Sequence, residues 1–125
     1  METNNFKFSF EKLDVWKLTR VFQKDIYKIT KSFPKDEIKG LREQIRRAAI
    51  SVSSNIAEGS AKFSRKDFAR YIQISFGSLM EVLNQLYAAL DLLYIDEKQF
   101  YYLKKQIHQI SIKLSALRRS ILNNQ

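Results

Sequence analysis

Cysteine is absent from this sequence of 125 residues, and proline, glycine and histidine number only one, three and one. Without cysteine the chain has no disulfide framework and no site built on a thiolate. So few glycines and prolines disfavour a fold with many tight turns and favour long helices with few connections. No apolar run reaches the length of a membrane span, and the first ten residues lack the apolar core of a signal peptide. A cytoplasmic protein is therefore expected.

The same scarcity excludes the usual chemistry of helical bundles. A di-iron bundle requires Glu-x-x-His pairs, whereas the single histidine, His108, is preceded at that spacing by Lys105. Haem attachment through Cys-x-x-Cys-His is impossible, and the only methionines are Met1 and Met80. Neither a Gly-rich phosphate loop nor a nucleophile elbow is present. We predict a non-enzymatic protein with no catalytic residue, metal or cofactor, in which His108 is a surface residue.

Apolar residues recur at three- and four-residue steps along four segments, which is the pattern of helices that bury one face. The predicted helices span about 13–32, 36–59, 64–94 and 96–122. Connections this short make neighbouring helices antiparallel. The sequence therefore predicts an all-α, antiparallel up-down-up-down four-helix bundle over residues 13–125, after an N-terminal arm over residues 1–12.

The predicted core consists of one apolar stripe from each helix. The stripe of the fourth helix alternates steps of three and four without interruption, as bundle seams do. The four stripes are Val15, Leu18, Phe22, Ile26, Ile29 and Phe33; Ile38, Leu41, Ile45, Ala49, Val52 and Ile56; Phe68, Ile72, Ser75, Leu79, Leu83, Leu86, Leu90 and Leu93; and Phe100, Leu103, Ile107, Ile110, Leu114, Leu117 and Ile121.

Several residues mark the expected helix ends. Pro34 ends the first helix, because the residue before a proline is pushed out of the helical region. Acidic residues at 36 and 37 suit the positive end of the second helix, and Gly59 suits its C-terminal cap. Ser64 and Asp96 are placed as N-terminal caps of the third and fourth helices.

The second predicted helix has an unusually small and smooth surface in the stretch QIRRAAISVSSNIAEG, residues 44–59. Small side chains let another helix approach closely, and Ile50 would stay half exposed in a simple monomer. Tight packing inside one bundle and contact between subunits both remain open as explanations. In the second interpretation the interface residues are Arg46, Arg47, Ile50, Ser53, Ser54, Ala57 and Glu58. Gly77 in the third helix also predicts a close neighbour, because a mid-helix glycine costs up to about 1 kcal/mol relative to alanine.

The chain is strongly basic, with 22 Lys and Arg against 13 Asp and Glu and a net charge of +9. Part of this charge is ordered along the first helix, opposite its apolar stripe. The predicted nucleic-acid-binding residues are Lys17, Arg20, Lys24, Lys28 and Lys31, together with the flanking Trp16. Such a line of cations can follow a phosphate backbone, and a neighbouring aromatic ring can stack on a base. A solvated lysine face is the other interpretation. A membrane surface fits poorly, because the basic face has no exposed apolar counterpart.

Residues around the smooth stretch carry a family resemblance. Phe33-Pro34, Gly40-Leu41 and the runs 44–49 and 54–59 resemble the signature of the four-helix-bundle proteins encoded in intervening sequences of bacterial 23S ribosomal RNA genes. The resemblance extends over nearly the whole chain, with one departure at Ser53, where the family often has proline. It implies a bundle without a recognised active site.

That family is itself similar to the accessory variability determinant of diversity-generating retroelements, a basic pentameric barrel that binds nucleic acid and a reverse transcriptase. This likeness implies a homopentamer. The sequence therefore predicts a non-enzymatic oligomer, with no membrane association, that binds RNA or DNA through basic surface. The alternative is a structural or adaptor oligomer that binds a protein partner such as a polymerase or reverse transcriptase.

Overall fold

Four long helices make up most of the protein in the computed structural model, which describes residues 6–124. The helices are α1 (Asp14–Thr30), α2 (Leu41–Ser60), α3 (Arg65–Asp91) and α4 (Glu97–Asn123), and short 3₁₀ turns at Ser9–Lys12 and Lys35–Glu37 precede α1 and α2. Each helix packs against the next, and α4 packs back against α1. The predicted all-α four-helix bundle is confirmed.

The core contains the predicted stripes in almost every position. In α4 every predicted residue is buried except Leu117, which is half-buried. Full burial of an aliphatic side chain contributes about 1.5–3 kcal/mol, so these stripes hold the four helices together. Small and polar residues that the sequence analysis did not predict complete the core: Thr19, Thr30, Ala48, Ala69, Val82, Gln85 and Ala89. None of the helices found in residues 6–124 is long and apolar enough to cross a membrane.

The predicted core is wrong at two positions, Ile38 and Leu93, both of which lie beyond a helix end. α2 begins at Leu41 and α3 ends at Asp91, so neither residue continues its helical stripe. Ile38 is 44% exposed and Leu93 is 86% exposed. Ile95, which follows the turn after α3, is buried.

Glu37 fixes the start of α2 from outside the helix. Its carboxylate accepts hydrogen bonds from the backbone N–H of Leu41 (3.0 Å) and from the hydroxyl of Tyr94 (2.8 Å). The Leu41 N–H, and after it the Tyr94 hydroxyl, lower the pKa of the Glu37 carboxyl. The resulting stabilisation is present above the ordinary carboxyl pKa and is lost as the pH falls through the lowered value. The prediction that the helix itself begins at these acids is therefore wrong by one turn.

The predicted N-terminal arm contains an ordered turn. Ser9–Lys12 forms a 3₁₀ turn that contacts α1 and α2, and the Phe10 ring meets the Trp16 ring edge-on with 4.9 Å between centroids. Residues 1–5 of this arm lie outside the described residues.

Gly59 is not the cap of α2 but a packing residue within it. α2 continues to Ser60, and Gly59 is buried. A Cβ atom at Gly59 would lie 2.6 Å from the Cβ of Tyr71 and 3.2 Å from the Phe68 ring, both on α3. The missing side chain therefore lets α2 and α3 approach. Gly77, by contrast, is exposed, and nothing in the described chain lies within 4 Å of an added Cβ. The prediction of a close neighbour at Gly77 is wrong within the single bundle.

Alanine substitutions at these two glycines are expected to have opposite effects. Gly59→Ala should lower the free energy of unfolding by about 1–3 kcal/mol, because α2 and α3 must separate to accept the methyl group. Gly77→Ala should raise it by about 0.5–1 kcal/mol, because alanine is the better helix former and the site is open. Thermal and urea unfolding of both variants measures the difference. Equal effects at the two positions would contradict the packing role of Gly59.

Candidate nucleic-acid and subunit interfaces

The five cations predicted along the first helix form an exposed line, here called the basic ridge: Lys17, Arg20, Lys24, Lys28 and Lys31. The first four lie on α1, and Lys31 directly follows its last residue. They lie on the side of α1 opposite its buried residues, which are Val15, Thr19, Phe22, Ile26 and Thr30. Within residues 6–124 the only ion pair joins Arg47 to Glu43, so no carboxylate neutralises the ridge. The ridge therefore presents unpaired positive charge to solvent.

Asp25 is the acid nearest to the ridge in the sequence, but its carboxylate is held toward α4. It accepts hydrogen bonds from the hydroxyl of Tyr102 (2.8 Å) and from the side-chain amide of Gln106 (3.1 Å). The hydrogen bond to Asp25 raises the pKa of the Tyr102 hydroxyl. These contacts join α1 to α4 and occupy the one carboxylate in the middle of α1.

Trp16 is half-buried and already has neighbours on its ring. The Phe10 ring lies against it at about a right angle, and the Arg20 guanidinium lies over it, 5.2 Å from the ring centroid. The ring also packs against the hydrophobic core. Trp16 thus joins the N-terminal turn to the bundle, and its predicted stacking on a base would require Arg20 to move aside.

Arg46 connects α2 to the C-terminal end of α1. Its guanidinium lies over the Tyr27 ring (4.4 Å) and donates hydrogen bonds to Thr30 Oγ1 (2.8 Å) and to the carbonyl oxygen of Tyr27 (2.9 Å). A guanidinium suits this position, because the last carbonyl groups of a helix carry partial negative charge. Burial, and then the charge of Arg42, lower the pKa of Arg46. Among the predicted interface residues, Arg46 therefore has a role inside the single chain.

Ser53 is also used inside the bundle. It is buried, and its hydroxyl lies 2.9 Å from the side-chain oxygen of Gln23 on α1. The remaining predicted interface residues stay accessible and define the outer α2 face: Arg47, Ile50, Ser54, Ala57 and Glu58. Within this face Ala57 is half-buried and the other four are exposed. The outer α2 face is therefore one surface of the bundle that is open to a second subunit.

Part of the smoothness of α2 serves its contact with α3. The hydroxyl groups of Ser51 and Ser78 lie 2.8 Å apart, and Ser75 donates to the carbonyl oxygen of Val52 (2.7 Å). Together with Gly59, these short side chains bring the two helices close. Packing within one bundle thus explains the α3-facing small residues, and it leaves the small residue Ser54 on the outer face without a role in the bundle.

The described residues contain no cluster typical of a metal site. No group of three or more His, Cys, Asp or Glu in residues 6–124 could hold a metal ion. His108 is exposed, as predicted.

Sequence analysis missed two surface features that lie near helix ends. An open pocket of about 450 Å³ lies between α1 and α2, where Arg42, Arg46 and Arg47 converge. The turn after α3 exposes two adjacent leucines, Leu92 and Leu93. The family-like run 44–49 pointed to part of the pocket, whereas nothing in the helical pattern marked Leu93 as exposed.

Comparison with known proteins finds a matching family and, among the solved structures, proteins of similar fold. Residues 11–116 match the family described as 23S rRNA-intervening sequence protein. The fold is similar to that of a protein with unknown function from the S23 ribosomal protein family of Bacteroides thetaiotaomicron VPI-5482. The alignment has a TM-score of 0.78 and 22% sequence identity, and it covers 84% of this chain and 95% of that chain. Curated proteins give no match.

Proposed function

Because this chain belongs to the 23S rRNA-intervening sequence protein family, a set of helical-bundle proteins, we propose that it is a non-enzymatic oligomer that binds RNA or DNA through the basic ridge. In this proposal the protein acts in the cytoplasm, and its binding to nucleic acid requires no cofactor. The observation that carries the proposal is the line of five exposed cations along α1 and its C-cap, with no carboxylate partner among residues 6–124.

Charge and spacing determine what such a ridge can recognise. Cations that touch phosphate groups position a protein on nucleic acid but carry no base information. Binding should therefore depend little on sequence and strongly on salt, because each phosphate contact releases counterions. A net charge of +9 adds long-range attraction to the same ligand.

Assembly would strengthen contacts that are individually weak. The resemblance to pentameric barrels and the exposed outer α2 face both support a homo-oligomer, with a homopentamer as the expected form. Each subunit of a closed ring repeats the basic ridge, so one nucleic acid strand can contact several ridges at once. Such multivalent binding can exceed the affinity of one subunit by about 10²–10⁴-fold.

An adaptor that binds a polymerase or reverse transcriptase is the second candidate function. Exposed apolar side chains on the α1–α4 side of the bundle favour it: Val21, Tyr102 and Ile112 are each 55% exposed. Clusters of exposed apolar residues on soluble proteins often mark protein-binding surfaces. In this alternative the oligomer displays α1 and α4 to a protein rather than to nucleic acid.

Direct binding measurements distinguish the two candidates. Fluorescence anisotropy with labelled single-stranded RNA, single-stranded DNA and duplex DNA should show binding to all three at about 50 mM salt. For duplex DNA, log K should fall linearly with log salt concentration, with a slope of about −0.9 for each phosphate contact. Absence of binding to all three at about 50 mM salt would contradict the nucleic-acid proposal and favour the adaptor.

A further inference from the structure

The pocket between α1 and α2 combines apolar walls with converging cations. Ile38 and Ile50 are 44% and 38% exposed there, and the Tyr27 ring forms part of the floor. The accessible volume is about 450 Å³, which is large enough for one or two aliphatic side chains. A ligand that fits should therefore bring apolar groups to cover these side chains.

The charge of the pocket defines the rest of that ligand. Three arginines line it, Arg42, Arg46 and Arg47, against one carboxylate, that of Glu43. Glu43 already pairs with Arg47 at 2.6 Å. Arg42 and Arg46 have no carboxylate partner among the described residues, and the charge of Arg42 contributes to the lowered pKa of Arg46. The pocket therefore favours an apolar segment flanked by acidic side chains.

A segment with this chemistry lies in the same chain, in the turn between α3 and α4. Leu92 and Leu93 are 53% and 86% exposed, and Leu93 has a φ of 63°. This left-handed conformation is readily adopted by glycine, the usual residue at this point of a helix C-terminus, and is unfavourable for leucine. The turn is closed by a hydrogen bond from the Tyr94 N–H to the Ala89 carbonyl oxygen (2.8 Å). An exposed leucine in a position that favours glycine indicates that its side chain contacts another molecule.

Acidic residues flank the two leucines. Asp91 precedes them, and Asp96 and Glu97 follow, all three on the surface. Lys98 is the only basic residue between positions 91 and 98. The turn is thus apolar at its tip and acidic on both sides. Its apolar tip complements the apolar walls of the pocket, and its acidic flanks complement the arginines.

The positions of the two features permit a contact between copies. Packing of α2 against α1 and α3, and of α4 against α3 and α1, places the α1–α2 edge opposite the α3–α4 edge. The Tyr94–Glu37 hydrogen bond shows that the α3–α4 turn and the start of α2 lie at the same end of the bundle. Rotation about an axis parallel to the helices can therefore bring the turn of one copy to the pocket of the next.

We propose that the Leu92–Leu93 turn of one copy docks into the arginine-lined pocket of a second copy. This contact rests on the proposed oligomerisation and identifies the surfaces that produce it. It joins different surfaces of the two copies, head to tail, so its repetition produces a ring when the rotation closes. Arg47 and Ile50 belong both to the pocket and to the outer α2 face, which makes the two surfaces continuous.

Leu93→Gly tests the contact without threatening the fold. Glycine adopts the observed φ more readily than leucine, so the variant should remain folded, with an unchanged helical circular dichroism signal. Its self-association, measured by analytical ultracentrifugation, should weaken by at least about tenfold, as expected for a central interface side chain. Phe63→Ser is the matched control, because Phe63 is fully exposed in the connection between α2 and α3 at the opposite end. Its self-association should match that of the wild type.

Mixing two defective variants tests the head-to-tail geometry. A pocket variant with Arg42→Glu and Arg47→Glu keeps an intact turn, and Leu93→Gly keeps an intact pocket. Each variant alone should self-associate at least about tenfold more weakly than the wild type, so a concentration exists at which the wild type is assembled and both variants are monomeric. Mixed at that concentration, the two variants should form a one-to-one heterodimer through the intact turn of the first and the intact pocket of the second. A mixture of folded variants that stays monomeric would overturn the contact.

Other results separate this contact from the proposed function. An unchanged oligomer in the Leu93→Gly variant overturns the contact and leaves nucleic-acid binding, measured by anisotropy, in place. A monomeric wild type overturns both the contact and the oligomeric part of the proposed function, and anisotropy then decides whether a single subunit still binds nucleic acid.

Discussion

Changing Lys17, Lys24 and Lys31 to glutamate is expected to weaken binding to RNA and DNA by at least about 100-fold at low salt. Each of these lysines is exposed on the basic ridge, and no carboxylate within residues 6–124 neutralises it. Loss of three phosphate contacts should also flatten the dependence of log K on log salt by about three units. The helix should persist, because all three side chains lie opposite the buried side of α1.

A second triple variant controls for net charge. Lys35, Lys66 and Lys98 are exposed and lie outside α1, so changing them to glutamate gives a protein of the same net charge with an intact ridge. Anisotropy titrations over a range of salt should show a small loss for this variant and a large loss for the ridge variant. Equal losses in the two variants would mean that overall charge, and not the ridge, governs binding.

Ser54→Arg is expected to convert the proposed homo-oligomer to a monomer of 14.8 kDa. Ser54 is exposed at the middle of the outer α2 face, where a second subunit is proposed to approach. Burying an unpaired guanidinium in such a contact costs about 3–5 kcal/mol, which corresponds to an affinity loss of about 10²–10³-fold or more. The same side chain in a monomer remains in water, so the helical circular dichroism signal should not change.

Gln109→Arg provides the control for this substitution. Gln109 is exposed on α4, so the substitution adds the same arginine side chain at a position away from α2. Light scattering should give the wild-type mass for Gln109→Arg and the monomer mass for Ser54→Arg. Retention of the wild-type mass by Ser54→Arg would exclude the outer α2 face as the subunit interface.

Periodicity predicted the helices well wherever a helix is long and its apolar face is continuous. The α4 stripe was predicted in full because its steps of three and four admit only one buried face. Ser64 and Asp96 cap α3 and α4 as predicted, since each accepts a hydrogen bond from the backbone N–H three residues later. These features depend on residues close in sequence, which is why the sequence alone was enough.

Errors occurred where distant contacts overrode local signals. Gly59 carries the usual mark of a helix end, but its position against Tyr71 keeps it inside α2. Glu37 has the usual charge of a first helical turn, but its hydrogen bond to Tyr94 holds it before the helix. Neither contact can be read from periodicity, because each joins two elements whose relative placement is set by the whole bundle.

In the candidate sites too, features set by sequence spacing could be predicted, whereas features set by contacts between helices could not. The spacing of the basic ridge predicted its exposure, because positions opposite an apolar stripe are exposed on any bundle helix. The set of interface residues stays a prediction, and the helical wheel behind it does not show that Ser53 and Arg46 also contact α1. Their contacts with Gln23, Tyr27 and Thr30 required the packed structure.

The mass of the complex between the wild-type protein and a short single-stranded RNA tests the central claim most directly. Light scattering at about 50 mM salt, where electrostatic binding is strong, reports subunit number and RNA binding in one measurement. We predict one species that contains several 14.8 kDa subunits, five in the expected form, together with RNA. Protein that elutes at 14.8 kDa, with the RNA separate from it, would contradict the account.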